Sequence, residues 1–318
     1  MLWIRRRLNS FWFTPTDGFD LAICRILFFG MMCAFYFRFD FGWYQNVPSE
    51  FYEPVGLLKY ANFGLANPAV LLGLQWAWKL SLATAAIGLA TRLSTIVSFA
   101  LGIYLIGLTH SFGTISHYDA VHVLMLAIFA ISRSGDVISV DNLIRRFRSG
   151  SPAQTPQKSP EYRWPIQLAC ALMALMYFCA GFSKLRVSGT HWFTSDYMCH
   201  LLVWHQYYGA PTNWGPELAK FPLLCKLLAF GSLVIELSVI SALFSKRMRL
   251  LLIPAAYSLH VGIYLLIGPM FLQLAICYVF WVPWKSVLTA ALQSVNRMQD
   301  DTDVLEPRPV VLGLRRSA

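Results

Sequence analysis

A chain of 318 residues that is 57% apolar and only 13% charged is not a soluble globular domain, in which roughly 25% of residues are charged. Its net charge of +10 does not describe a nucleic-acid face, because the basic residues sit in short segments between apolar runs and not along a soluble surface. Seven cysteines without a CxxC pair point to neither a disulfide framework nor a thiolate metal site, and no metal is expected.

The N-terminal stretch MLWIRRRLNSFWF has no small-residue cleavage site and does not read as a secretory signal peptide. Its arginines and aromatics predict an interfacial segment over residues 1–18. The domain that follows, residues 19–285, is expected to be an all-α integral membrane bundle, a polytopic one of about eight transmembrane helices, with both termini cytoplasmic. The apolar runs place those helices near 19–37, 75–91, 94–112, 118–132, 164–183, 222–244, 248–267 and 270–284. A crossing takes about 20 residues, since a helix rises ~1.5 Å per residue through ~30 Å of hydrocarbon. The run from Trp164 to Ser183 is the clearest, with 20 uncharged residues between Arg163 and Lys184.

With the N-terminus inside, 18 of the 26 Lys and Arg residues fall in inner segments and five in outer ones, the asymmetry expected of an even number of crossings. The inner segment from Arg145 to Arg163 is rich in Pro, Ser and charge and reads as a flexible connection between two four-helix halves. An outer loop runs from Lys184 to Phe221 and holds Trp192, Phe193, Trp204, Tyr207, Tyr208 and Trp214. Those aromatics suit an interfacial belt, or the apolar mouth of a site for a flat ligand. Residues 286–318 read as a flexible cytoplasmic tail.

A charge at mid-bilayer costs about 3 kcal/mol or more, so each ionisable group inside a span asks for a partner or a task. Arg25 and Glu236 lie about 9 and 12 Å from the inner ends of their expected helices, depths at which they can pair as a structural ion pair. Near the outer face, His117, Asp119 and His122 open the fourth helix, and His260 lies below the outer end of the seventh. Polar capping explains His117 and Asp119 as well as chemistry does. Lys184 has two readings. It is either an interfacial anchor whose long stem snorkels to the headgroups or a desolvated amine able to act as a general base. Ala180 and Gly181, one turn earlier, leave room for a ligand beside it.

The run FCAGFSKL (178–185) resembles the AGxxKL-type segment of the vitamin K-dependent gamma-carboxylase family and its HTTM-like membrane domain. Other segments follow in that family's order: ICRILFFG (23–30), GLATRLS (88–94), SHYDAVHVLML (116–126), SRSGDVISVD (132–141), VIELS (234–238) and LHVGIYLLIGPMF (259–271). The resemblance implies that Lys184 is the base that deprotonates a reduced quinone (vitamin K or menaquinol). Reaction of the quinol with oxygen, to an epoxide, then provides the strong base that removes a glutamyl proton before carbon dioxide adds. It implies further that His117 and His260 position quinol or oxygen, that Arg25, Glu236 and Asp119 are structural or substrate-positioning, and that the substrate is an extracytoplasmic peptide or protein. On this reading the protein resides in the inner membrane of a bacterium or the endoplasmic reticulum of a eukaryote, with the active site on the extracytoplasmic side. The chain departs from the family's pattern after the lysine, where RVSGTH separates Leu185 from Trp192 without an acidic residue. Two other readings stand beside this one: an HTTM-type protein that matures or exports a peptide without carboxylase activity, and a small transporter.

Overall fold

The computed structural model describes residues 2–113, 117–150 and 157–305. Among these the chain is helical apart from its connections, and a lone β-bridge joins Thr16 to Ser159. It divides into two compact units, Met1–Trp281 and Val282–Ala318.

In the first unit, α1 (Leu2–Phe13) precedes α2 (Phe19–Phe37), α3 (Pro68–Ile87), α4 (Thr91–His110), α5 (His117–Ile131) and α6 (Val140–Ser149). These are followed by α7 (Trp164–Ser188), α8 (Tyr197–Gln206), α9 (Pro222–Ser238), α10 (Lys246–Ile267) and α11 (Leu272–Cys277). Helices α9 and α11 continue as 3-10 turns to Leu243 and Trp281. Six segments among the described residues are long and apolar enough to cross a bilayer: α2, α3, α4, α7, α9 with its turn, and α10. The protein is an integral membrane protein.

Two of the eight expected crossings are shorter. The fourth is α5, whose 15 residues rise only about 22 Å. The eighth is the six-residue α11 and its turn; a longer span there requires Gln273–Trp281 and Trp284–Val295 to be counted together across Val282-Pro283. Both short segments pack against helices of the bundle. Helix α5 starts beside His110, to which Asp119 is paired at 3.2 Å. The α11 segment leads from Phe271, packed on His260, to Trp281, whose ring lies 5.6 Å from the Arg249 guanidinium.

Local chemistry explains the shifted boundaries. Helix α3 begins seven residues before the expected 75, because Asn67 caps it through Val70 N–H at 2.9 Å and Pro68 supplies a preset first turn. It stops at Gly88, where φ is +75°. Helix α7 runs on to Ser188, which places Lys184 and Arg186 inside the helix and not at its end.

The core of the bundle is aromatic. Phe28 and Phe29 of α2, Phe129 of α5 and Phe280 pack with centroids 5.2–5.9 Å apart, and the buried Trp78 donates to Ser98 O at 2.9 Å. At one end, Arg163 Nε donates to Phe11 O at 2.9 Å and Phe11 packs against Phe244. The basic residues around α1, Arg133, Arg163 and the 245–249 segment therefore share that end. Helix α10 is the least covered, with only 11% of its apolar stretch buried.

The second unit opens with α12 (Trp284–Leu305), where a flexible tail over 286–318 is expected from the sequence. Leu288, Leu292 and Val295 form an exposed apolar stripe along it.

Candidate functional site

Arg25 and Glu236 do not pair. Arg25 is fully buried and turns its guanidinium onto backbone carbonyls: Nη1 donates to Ser134 O and Nη2 to Ile138 O, both at 2.7 Å, with Ala86 O 3.5 Å from Nη2. The left-handed Gly88 lies against it, since a Cβ there would stand 2.9 Å from both terminal nitrogens. Asp141 completes the knot. Its carboxylate accepts from Ala90 N–H (2.8 Å), Thr91 N–H (2.6 Å) and Thr91 Oγ1 (2.7 Å), which holds Ala90 at a φ of +44°. Three stretches far apart in sequence, 23–30, 88–94 and 132–141, thus meet in one polar junction.

Burial opposes the ionisation of Asp141, but the hydrogen bonds from Thr91 and Ala90 outweigh it and hold the carboxyl below its ordinary 3.8. A depressed carboxyl contributes its full stability above the unfolded value and loses it as pH falls through the folded one. Acidification from about pH 5 to about pH 3 is therefore expected to lower the protection factors of the amides in the 88–91 turn, exchange being taken relative to the intrinsic rate at each pH. Asp141→Asn, which keeps an acceptor without the charge, should flatten that response; an unchanged pH dependence would exclude Asp141 as its source.

Glu236 instead meets Lys184. Lys184 Nζ donates to Glu236 Oε1, with the lysine side chain 26% exposed and the carboxylate 7%. The indole of Trp192 lies 5.2 Å from the same ammonium. Similar depth does not bring Arg25 and Glu236 together, because Glu236 faces α7 and Arg25 is spent on the carbonyls of Ser134 and Ile138. Trp192 Nε1 donates to Ala229 O at 3.2 Å, seven residues into α9, so roughly 10 Å of α9 extends beyond Trp192. Gly181 makes the contact between α7 and α9 close: a Cβ on it would lie 3.0 Å from Glu236 Cβ and 3.1 Å from Leu237. The space at Gly181 is filled by α9 and is not a ligand gap.

Gly181→Ala is expected to lower thermal stability by about 1–3 kcal/mol, as overpacking does. Gly231→Ala on α9, whose added methyl meets nothing within 4 Å, should be neutral or slightly stabilising. Equal melting temperatures for the two variants would show that the close approach is dispensable.

A second layer lies two turns below Lys184 on the same face of α7. The Tyr177 hydroxyl bonds to the Tyr278 hydroxyl and is close enough to Glu236 for electrostatic interaction. Tyr177 also packs on His260 at 5.4 Å between centroids, and His260 on Phe271 at 4.6 Å. His260 therefore belongs to the neighbourhood of the Lys184–Glu236 pair. Asp119 sits elsewhere, joining α5 to α4 through His110, and the side chain of His117 lies outside the described residues. His122 is buried and bonds through Nε2 to Gln273 O at 2.7 Å. Residue types alone did not single out Tyr177, although it lies seven positions before Lys184, the spacing that places two side chains on one face.

No curated protein and no solved structure matches the chain. The HTTM domain matches it over residues 13–282, which takes in every element from the N-terminal junction to Trp281, the Arg25 knot and the Lys184–Glu236 pair included. The chain belongs to the HTTM domain family.

Proposed function

We propose that this protein is a membrane enzyme resembling vitamin K-dependent gamma-carboxylase, in which Lys184 is the base toward a reduced quinone and the acceptor is an extracytoplasmic peptide or protein. The observation that carries this reading is a lysine held by a buried carboxylate that keeps one oxygen unpartnered. Glu236 Oε2 is buried without a hydrogen-bond partner among the described residues.

The residues present fit a quinol, vitamin K or menaquinol. Its ring is flat and hydroxylated, Glu236 Oε2 accepts an O–H, Trp192 lies beside the pair, and the packed rings of Tyr177, His260 and Phe271 make the surroundings aromatic. When bound, the quinol supplies, with oxygen, a base stronger than any side chain, with carbon dioxide as the final co-substrate.

The chain's own part is proton management. An ammonium cannot accept a proton, so Lys184 must first release one, and the nearest acceptor is Glu236 Oε1. That transfer turns a buried carboxylate and a partly exposed ammonium into two neutral groups, a change that a low-dielectric site favours. The neutral amine then takes the proton of an acidic hydroxyl beside it. The indole of Trp192 lies beside the amine and shields one side of it. Tyr177 and Tyr278 fix one another below the pair, and His260 is held between Tyr177 and Phe271.

The test is to incubate purified protein anaerobically with reduced menaquinone, admit oxygen and bicarbonate, and quantify quinone epoxide. Epoxide is expected from the native chain, with a loss of at least about 100-fold in Lys184→Ala, the range of a lost general base. Equal epoxide from Lys184→Ala, or none from the native chain, would sink this reading. The remaining readings are then peptide maturation or export without carboxylase activity, or transport.

A further inference from the structure

At the opposite end from Lys184, the structure holds a second site that the proton chemistry does not use. A cleft of about 520 Å³ is lined by Arg92, Arg133, Arg145 and Arg148 against two carboxylates, Asp136 and Asp141. Both carboxylates are already engaged. Asp141 accepts the three bonds from Ala90 and Thr91. Asp136 takes Arg133 at 2.8 Å and the Tyr162 hydroxyl at 3.0 Å. The guanidinium groups of Arg92 and Arg148 have no hydrogen bond or ion pair among the described residues. The cleft thus carries two positive charges that its own acids do not answer.

The wall of the cleft is α6, an amphipathic helix with Val140, Leu143, Ile144 and Phe147 on one side and Arg145, Arg146 and Arg148 among its charges. Leu143 is 53% and Phe147 80% exposed. On its other flank an apolar groove of about 650 Å³ opens between α2 and α3, lined by Ile26, Gly30, Ile87, Val137 and Leu143, with Arg146 at its mouth. The groove is open at Gly30, where an added Cβ meets nothing within 4 Å. Uncovered arginines on one flank of α6 and an apolar slot on the other, with the exposed Leu143 and Phe147 of the helix between them, match an amphiphile with a negative head whose chain crosses the helix.

We propose that this end of the protein binds an anionic phospholipid, its phosphate held by Arg92 and Arg148 and an acyl chain laid in the groove between α2 and α3. A free phosphate satisfies the arginines but leaves the groove uncovered; the exposed Leu143 and Phe147 therefore select the lipid. This assignment is independent of the quinol reading.

The test uses the full chain in detergent, with native mass spectrometry against phosphatidylglycerol and phosphatidylcholine. Phosphatidylglycerol is expected to be retained about tenfold more than phosphatidylcholine, a preference that Arg92→Gln with Arg148→Gln abolishes. Arg5→Gln with Arg6→Gln, on α1, should leave it unchanged. Inorganic phosphate at about 50 mM should displace little of the lipid. Equal retention of both lipids, equal loss in the α1 variant, or full displacement by phosphate would overturn the proposal. If the arginine variant does not fold, a photoactivatable phosphatidylglycerol on the native chain decides instead. Cross-links to 86–92 or 133–148 support the site, and cross-links confined to other segments refute it.

Discussion

Lys184→Met is expected to destabilise the protein by about 3–5 kcal/mol, more than Glu236→Leu does, and the double variant is expected to recover most of the loss. The asymmetry follows from burial. Removing the lysine strands a carboxylate that is 7% exposed and already has one oxygen without a partner. Removing the glutamate leaves a lysine that is 26% exposed, with Trp192 beside it and a stem long enough to reach the surface. Replacing both side chains deletes the problem of charge altogether. Thermal unfolding of the three variants in one detergent forms a double-mutant cycle. Additive losses would mean that the two groups do not interact in solution. A larger loss for Glu236→Leu would mean that the carboxylate is better solvated than its burial indicates.

Arg25→Met should be as costly, for a different reason. It leaves Ser134 O and Ile138 O without their donor in a closed junction, at about 1–3 kcal/mol for each unsatisfied group. Arg25→Lys should rescue little, because one ammonium cannot reproduce the fork that reaches two carbonyls in different directions. Beyond a lower melting temperature, the expected signature is local: faster proteolysis within 133–141, the segment that Arg25 holds. Cleavage that rises evenly along the chain would point to general unfolding instead and would sink the idea of a specific tie.

Much of this was legible in the sequence, and what was not has physical reasons. Apolar runs marked the long helices well, since a bilayer reads composition before it reads fit. Boundaries moved where capping outweighed hydropathy, as at Asn67-Pro68, or where a helix continued past its first charge, as α7 does beyond Lys184. Arg25, Glu236 and Lys184 all stood out as ionisable groups in apolar surroundings. Which of them pair depends on the offset between α7 and α9, and nothing local in either helix encodes that offset. The Arg25 tie was hidden for a related reason: its acceptors are backbone carbonyls, which every residue carries, so the types Ser134 and Ile138 gave no sign. Trp192 was visible as one aromatic among many in the outer loop. Its hydrogen bond to Ala229 and its place beside the Lys184 ammonium separate it from a residue of the interfacial belt.

Helix α10 shows the converse. Its hydropathy is among the highest in the chain, and only 11% of its apolar stretch is buried against the protein. Its outward side chains dissolve in lipid and do not interlock with neighbours, so any apolar residue serves nearly as well as the one present. A tolerance map of this protein should therefore look inverted beside that of a water-soluble one. One of the greasiest segments is the most interchangeable, and individuality resides in a handful of polar contacts at the two ends of the bundle.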